Sequence, residues 1–152
     1  MKCLTSIKVV PVGSVRDLPT RPRCVNKEDV ARYWFECIEK QSWFEPEKEC
    51  AVVIALNTRN GIIAHALVSI GTLNSTLLHP REVFRPAIVL AAAAIVLVHN
   101  HPSGDSTPSS DDITISRQLH QAGELLKIEL VDHVIIGSAV AVSSLRVMGL
   151  LP

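Results

Sequence analysis

Two histidines one residue apart, His99 and His101, follow directly on the apolar run at residues 94–98. Residues i and i+2 of an extended chain point to the same side. Both imidazoles can therefore aim at one point beyond the end of a strand. Zinc takes such nitrogens at about 2.0–2.1 Å, and a third, anionic ligand leaves one coordination position open for water. Asp112 is the candidate for that ligand. On the helix that follows, Asp112, Ile115, Leu119, Ala122 and Leu126 share one stripe, and the other four are apolar. Asp112 thus opens a buried face, where a carboxylate needs a partner and a cation supplies one. The same letters have a reading without metal. Ser109-Ser110-Asp111-Asp112 also spells a capping box, with Ser109 as the cap. Spacing alone leaves both readings open.

Other chemistries fit less well. A zinc nucleoside deaminase needs His-x-Glu and Pro-Cys-x-x-Cys, and neither is present. A two-metal His-x-His-x-Asp-His site fails at Pro102-Ser103-Gly104. The run His99-Asn100-His101 spells the letters of a nuclease class whose residues are well separated, so that match is a coincidence. The four cysteines, Cys3, Cys24, Cys37 and Cys50, form no Cys-x-x-Cys pair. They read as reduced thiols, with Cys37 and Cys50 as small core residues.

The elements that must position these residues follow from periodicity and punctuation. A short strand is predicted at 6–10, then an irregular arm with Pro11, Pro19 and Pro22. Asn26 caps an amphipathic helix carrying Val30, Trp34, Cys37, Ile38 and Gln41, predicted to end before Pro46. Residues 51–56 and 62–70 read as strands joined by a turn at Asn60-Gly61. Residues 71–78 are a connector. A helix is expected over 80–93, with Pro80 in its first turn and Pro86 as a possible kink. The apolar strand 94–98 belongs in mid-sheet. A polar loop at 99–108, a helix at 110–126, a strand at 128–136 and a last strand at 140–143 complete the chain. Without a regular βαβ repeat, the fold class is α+β with a mixed central sheet.

Composition bounds the rest. The 152 residues, 47% hydrophobic and 20% charged, suit one globular domain, here an arm at 1–25 and a domain at 26–152. Fifteen basic and fifteen acidic residues cancel. No long-range field therefore favours nucleic acid. The start has no signal-peptide core, and no run reaches the roughly 20 apolar residues of a membrane span. A cytoplasmic protein with no membrane partner is expected.

His99-x-His101, seven residues, Ser109, two residues, Asp112 resembles the JAMM motif of the JAB/MPN metallopeptidases. VHNHPSGDSTPSSDD, with GTLN at Gly71 to Asn74, HPREVF at His79 to Phe84 and DHVIIG at Asp132 to Gly137, resembles the RadC branch in particular, over about residues 26–151. The resemblance implies an MPN/JAMM-type, cytidine-deaminase-like arrangement of three layers. It implies Zn2+ as cofactor, with His99, His101 and Asp112 as metal ligands. It makes Ser109 the hydroxyl that steadies the attacking water and the oxyanion. The family's upstream glutamate matches Glu49, the general base, with Glu45 and Glu47 as neighbouring alternatives. Glu82 and His79 read as structural, Asp132-His133 as structural or as an outer contact, and His65 and His120 as surface or packing residues. Asp105, in a turn-like Ser-Gly-Asp, is a weak fourth ligand.

A peptide or protein substrate follows, cleaved at an amide carbonyl. The alternatives are an interaction scaffold and a DNA-repair-associated factor. Longer RadC-like proteins carry an N-terminal helix-hairpin-helix region. Only about 25 residues precede the domain here, so direct DNA binding is not expected. The apolar strands leave a homo-oligomer open.

Overall fold

The computed structural model describes residues 9–11, 22–71 and 78–152. The strand expected at 6–10 and the connector with its GTLN run therefore lie largely outside the described residues. The chain runs β1 (Val9–Pro11), α1 (Lys27–Tyr33), β2 (Glu49–Leu56), β3 (Ile62–Gly71), α2 (Pro80–Val89), β4 (Ala94–Asn100), α3 (Ser110–Leu126), β5 (Glu129–Ile136) and β6 (Val142–Ser144). The six strands form one sheet in the order β1-β3-β2-β4-β5-β6. Only β4 and β5 pair in parallel, so the sheet is mixed and the class is α+β.

Helices cover both faces. Val30, Trp34 and Ile38 pack on the side of the sheet that presents Cys50, Val52, Ile54 and Val98. Val83, Phe84 and Ala87 of α2 and Ile115 and Leu119 of α3 pack on the side that presents Ala51, Val53, Ile95 and Leu97. Every residue of β4 is buried, as its unbroken apolar run requires for a strand covered twice.

Several elements differ from their sequence reading, and β2 starts two residues earlier and β6 two residues later than expected. The first helix does not continue regularly toward Pro46. After Tyr33 it widens into a π-helical turn, Trp34–Ile38, closed by the bond from Glu39 N to Trp34 O at 3.0 Å. Tyr33 and Trp34 are adjacent and both buried, and the wider turn lets both face inward. The second helix stops at Val89, short of Ala93, because a Schellman motif ends it. Ala92 N donates to Ala87 O at 2.9 Å, Ala91 N donates to Ile88 O at 3.1 Å, and Ala91 sits at φ 49°. Pro86 is buried within that helix. Strand β4 runs on through His99 and Asn100, which the sequence reading placed in the loop.

The left-handed Ala91 occupies the position where glycine is normally found. Replacing it with glycine relieves a Cβ clash of about 1–2 kcal/mol and returns part of that as added freedom of the unfolded chain. Ala91→Gly is expected to raise stability by up to about 1 kcal/mol, measured as a shift in the urea midpoint with unchanged slope.

Candidate metal centre

Strand β4 delivers the two histidines. Its register sets Ala51 of β2 opposite His99 on one side and Ile135 of β5 on the other. One step beyond β4, His101 N still donates to Ile136 O at 2.9 Å, so the second histidine is tethered to the sheet although it begins the loop. Asp112 arrives from the first turn of α3. There the two sequence readings of Asp112 prove compatible. Its Oδ2 accepts from Ser109 N at 2.8 Å and from Ser109 Oγ at 2.7 Å, and Asp112 N donates back to Ser109 Oγ at 3.1 Å. That is the capping box. The other oxygen, Oδ1, lies 3.3 Å from His99 Nε2.

The hydrogen positions follow from the network. Ser116, one turn beyond Asp112, donates its hydroxyl to Asp112 O at 2.6 Å. Its oxygen, 2.6 Å from His133 Nδ1, must then accept, which puts the His133 proton on Nδ1. His133 Nε2 is therefore an acceptor, and it receives Nδ1–H of His99 at 2.8 Å. His99 Nε2 is left as a bare lone pair. His101 Nδ1 donates to the Asp105 carbonyl at 2.8 Å, so His101 Nε2 is bare as well.

Two bare nitrogens thus face each other at 3.0 Å, with the Asp112 carboxylate oxygens 3.3 Å from one and 3.6 Å from the other. Three acceptors this close repel one another unless positive charge sits among them. Ligands at zinc distances in a tetrahedron stand about 3.3 Å apart. The donor set therefore fits a zinc-sized cation in both chemistry and spacing.

The site favours positive charge: Asp112, the Asp105 carbonyl and Glu49 raise the His101 pKa against the effect of burial, so Nε2 is bare in the neutral ring that would take a metal and protonated in the cationic one. Burial pushes the Asp112 pKa up, but the imidazoles of His101 and His99, as cations, and the two Ser109 bonds outweigh it and hold the carboxyl well below its usual range. Burial, then the neighbouring His133 charge, drives the His99 pKa far below its ordinary value.

Glu49 opens β2 two residues before Ala51, so alternation places it on the face that carries His99. It is half-buried, whereas Glu45 and Glu47 are exposed and Glu45 pairs with Lys48 at 2.6 Å. Asn100, between the two histidines, points to the opposite face and fixes this end of β2. Its Oδ1 accepts from Cys50 N at 2.8 Å and its Nδ2 donates to Lys48 O at 3.0 Å, so it grips the backbone on either side of Glu49.

Of the two readings of His133, structural or outer contact, the structure shows the second: His99, Asp112 and His133 form one buried group of potential ligands. Since His133 Nε2 accepts from His99, its part is to orient that ring and fix its tautomer. Ser116 was not singled out, although it lies four residues beyond Asp112 on a helix and so on the same face. The observed inward stripe of α3 is Asp112, Ile115, Ser116, Leu119 and Gly123, with Ala122 half-buried and Leu126 44% exposed. Asp105 turns away and accepts from Thr107 N and Oγ1 at 2.9 and 2.7 Å. His65 is buried beside Tyr33, whose hydroxyl lies 2.8 Å from His65 Nδ1, and His120 lies 3.9 Å from Glu124. Asp132 is buried and accepts from Ser144, His133 N and Arg146 N.

Residues 24–150 match the family model of the RadC-like JAB domain. The chain belongs to that family. Among similar proteins, one of Staphylococcus carnosus is 42% identical over 125 residues, 82% of this chain and 53% of that protein. One of Bacillus velezensis is 40% identical over 146 residues, 94% of this chain and 61% of that protein. One of Caldanaerobacter subterraneus is 51% identical over 96 residues, 63% of this chain and 41% of that protein. All three carry the name UPF0758 protein. The chain spans roughly half the length of these relatives. Within this RadC-like JAB domain, no helix among the described residues is long and apolar enough to cross a membrane.

Burial lowers the pKa of both His133 and His65 to about 4. Each stays neutral in the fold and takes up a proton near pH 6.5 once unfolded. The unfolded chain therefore binds more protons below pH 6.5. Stability is expected to hold above pH 6.5 and to fall as pH drops from there toward 4. Unfolding midpoints across that range check this, and His65→Phe is expected to flatten the slope by one proton.

Proposed function

We propose that this chain is a zinc-dependent hydrolase of the JAMM type, a peptidase or isopeptidase. The observation that carries the reading is the convergence of two bare imidazole nitrogens and one carboxylate, with both ring tautomers fixed by the Ser116–His133 and Asp105 bonds. His99, His101 and Asp112 would hold the ion, three protein ligands being the pattern of an open catalytic site rather than a closed structural one. Bound zinc supplies acidification of water and polarisation of a carbonyl.

The chain's own groups do the rest. Glu49 takes a proton from the attacking water and returns it to the departing amide nitrogen. His133 keeps the His99 lone pair turned inward and its Nδ1 protonated. Ser109 N fixes Asp112 through Oδ2, and the Ser109 hydroxyl, which in the resting site also donates to Oδ2, turns from it to donate to the negative charge that develops on the carbonyl oxygen. The substrate class is a peptide or protein amide.

Metal content of the purified chain and hydrolysis of a peptide and isopeptide panel test the reading together. The expected result is about one zinc per chain. Glu49→Gln is expected to keep the zinc and to lose roughly a hundredfold or more of any hydrolysis. A chain that takes up no zinc when it is supplied, or a Glu49→Gln variant as fast as wild type, overturns it.

A further inference from the structure

A cavity of about 230 Å³ opens beside His101. Its walls include Phe35, Phe44, Pro46 and Pro102, together with Glu39. Its volume is below the range of about 300–1,000 Å³ that takes a whole small ligand. It is the size of one side chain, and His101, a candidate metal ligand, is among the residues that line it.

The walls have a defined chemistry. The two phenylalanine rings are half-buried. The Phe44 ring is held edge-on to the buried Trp34, with centroids 5.7 Å apart. The Trp34 indole donates to Glu39 Oε1 at 3.1 Å, which fixes the carboxylate of this lining residue. No lysine or arginine is among the described residues that line the cavity. The surrounding segment, residues 35–49, carries five glutamates and two lysines, and one of those lysines, Lys48, is paired with Glu45. Aromatic and proline walls suit an aliphatic stem, and aromatic faces with a fixed carboxylate suit a cation at its end.

We infer that this cavity is the subsite for a basic side chain, arginine or lysine, of the peptide substrate. The inference rests on the peptidase reading for what the peptide is doing there. The contacts themselves need no metal. The backbone of such a peptide passes the end of the sheet at His101, between the metal centre on one face and the cavity on the other, with the basic residue seated between Phe35 and Phe44 and its charge at Glu39.

Capped tripeptides of alanine with arginine, lysine, norleucine or glutamate at the centre are titrated into the full chain. Binding is followed through the amide signals of Gly137 and Ser138 and the Trp34 indole signal. Arginine and lysine are expected to bind about tenfold tighter than norleucine, which has the stem without the charge. Glu39→Gln keeps an acceptor for the indole and is expected to remove that preference. Asp112→Ala is expected to keep it. Equal binding of arginine and norleucine, a preference that survives Glu39→Gln, or shifts that map elsewhere would each overturn the subsite. Basic preference in a chain that never hydrolyses a peptide upholds the subsite and refutes the peptidase reading. Hydrolysis indifferent to basic residues does the reverse.

Discussion

Zinc is expected to raise the unfolding temperature of the wild-type chain and to leave that of Asp112→Asn nearly unchanged. A ligand that binds only the folded state at a hundred times its Kd adds about 2.7 kcal/mol. For a chain of this size that is roughly 5–10 °C. The site for the ion exists only in the fold, because His99 comes from β4, His101 from the residue after it and Asp112 from the start of α3. Asparagine is the informative replacement. It keeps an oxygen to accept from Ser109, so the helix cap survives, but it removes the anion that balances the cation. Asp112→Ala loses the cap as well and is expected to cost about 1 kcal/mol before any metal is added. Thermal scans with and without zinc separate the two losses. A zinc-induced rise of equal size in wild type and Asp112→Asn would place the ion elsewhere.

The second large effect concerns a residue outside the ligand set. Gly137 follows β5, where the loop after His101 crosses it. A Cβ on Gly137 would meet Gly104 O at 2.3 Å, Gly104 C at 2.8 Å and Ser106 N at 2.8 Å. All three are backbone atoms, so no side chain can swing aside. The displaced segment includes Asp105, whose carbonyl holds His101 Nδ1. Gly137→Ala is therefore expected to destabilise the fold by about 2–3 kcal/mol, the range of overpacked sites. Loosening the partner that orients a ligand is also expected to weaken zinc affinity about 10–100-fold. Urea unfolding reads the first effect and competition with a metal-sensitive dye reads the second. Unchanged zinc affinity with lowered stability would show that His101 holds its place without the loop.

The two helices with clear start signals were readable from local chemistry. Asn26 caps α1 by accepting from Asp29 N, and Ser109 opens α3 with its capping box. The all-apolar β4 was readable as a central strand because only a strand covered on both faces can bury every side chain. The π-helical turn at Trp34–Ile38 and the stop at Ala91 were not. Both depend on what the helices meet, and no short window of sequence carries that. The stripe of α3 was misjudged toward its end for the same reason. Leu126 has the right spacing but is 44% exposed, while Gly123 is buried on the inward face, where a Cβ would meet Ile128 O at 2.5 Å.

The sequence by itself determined the types and spacing of the candidate ligands. His-x-His at the end of a buried strand, followed by a cap and Asp112, already paired two imidazoles with a carboxylate, because strand alternation and helix capping act over a few residues. Only the tertiary structure decided that the three acceptors meet within 3.0–3.6 Å. It alone put Glu49 on the same face through the pairing of β2 with β4. It alone made His133 and Ser116 the pair that sets the His99 tautomer. Those relations join residues as much as 50 positions apart. They are set by sheet register and helix packing, which are properties of the whole core and of no segment within it.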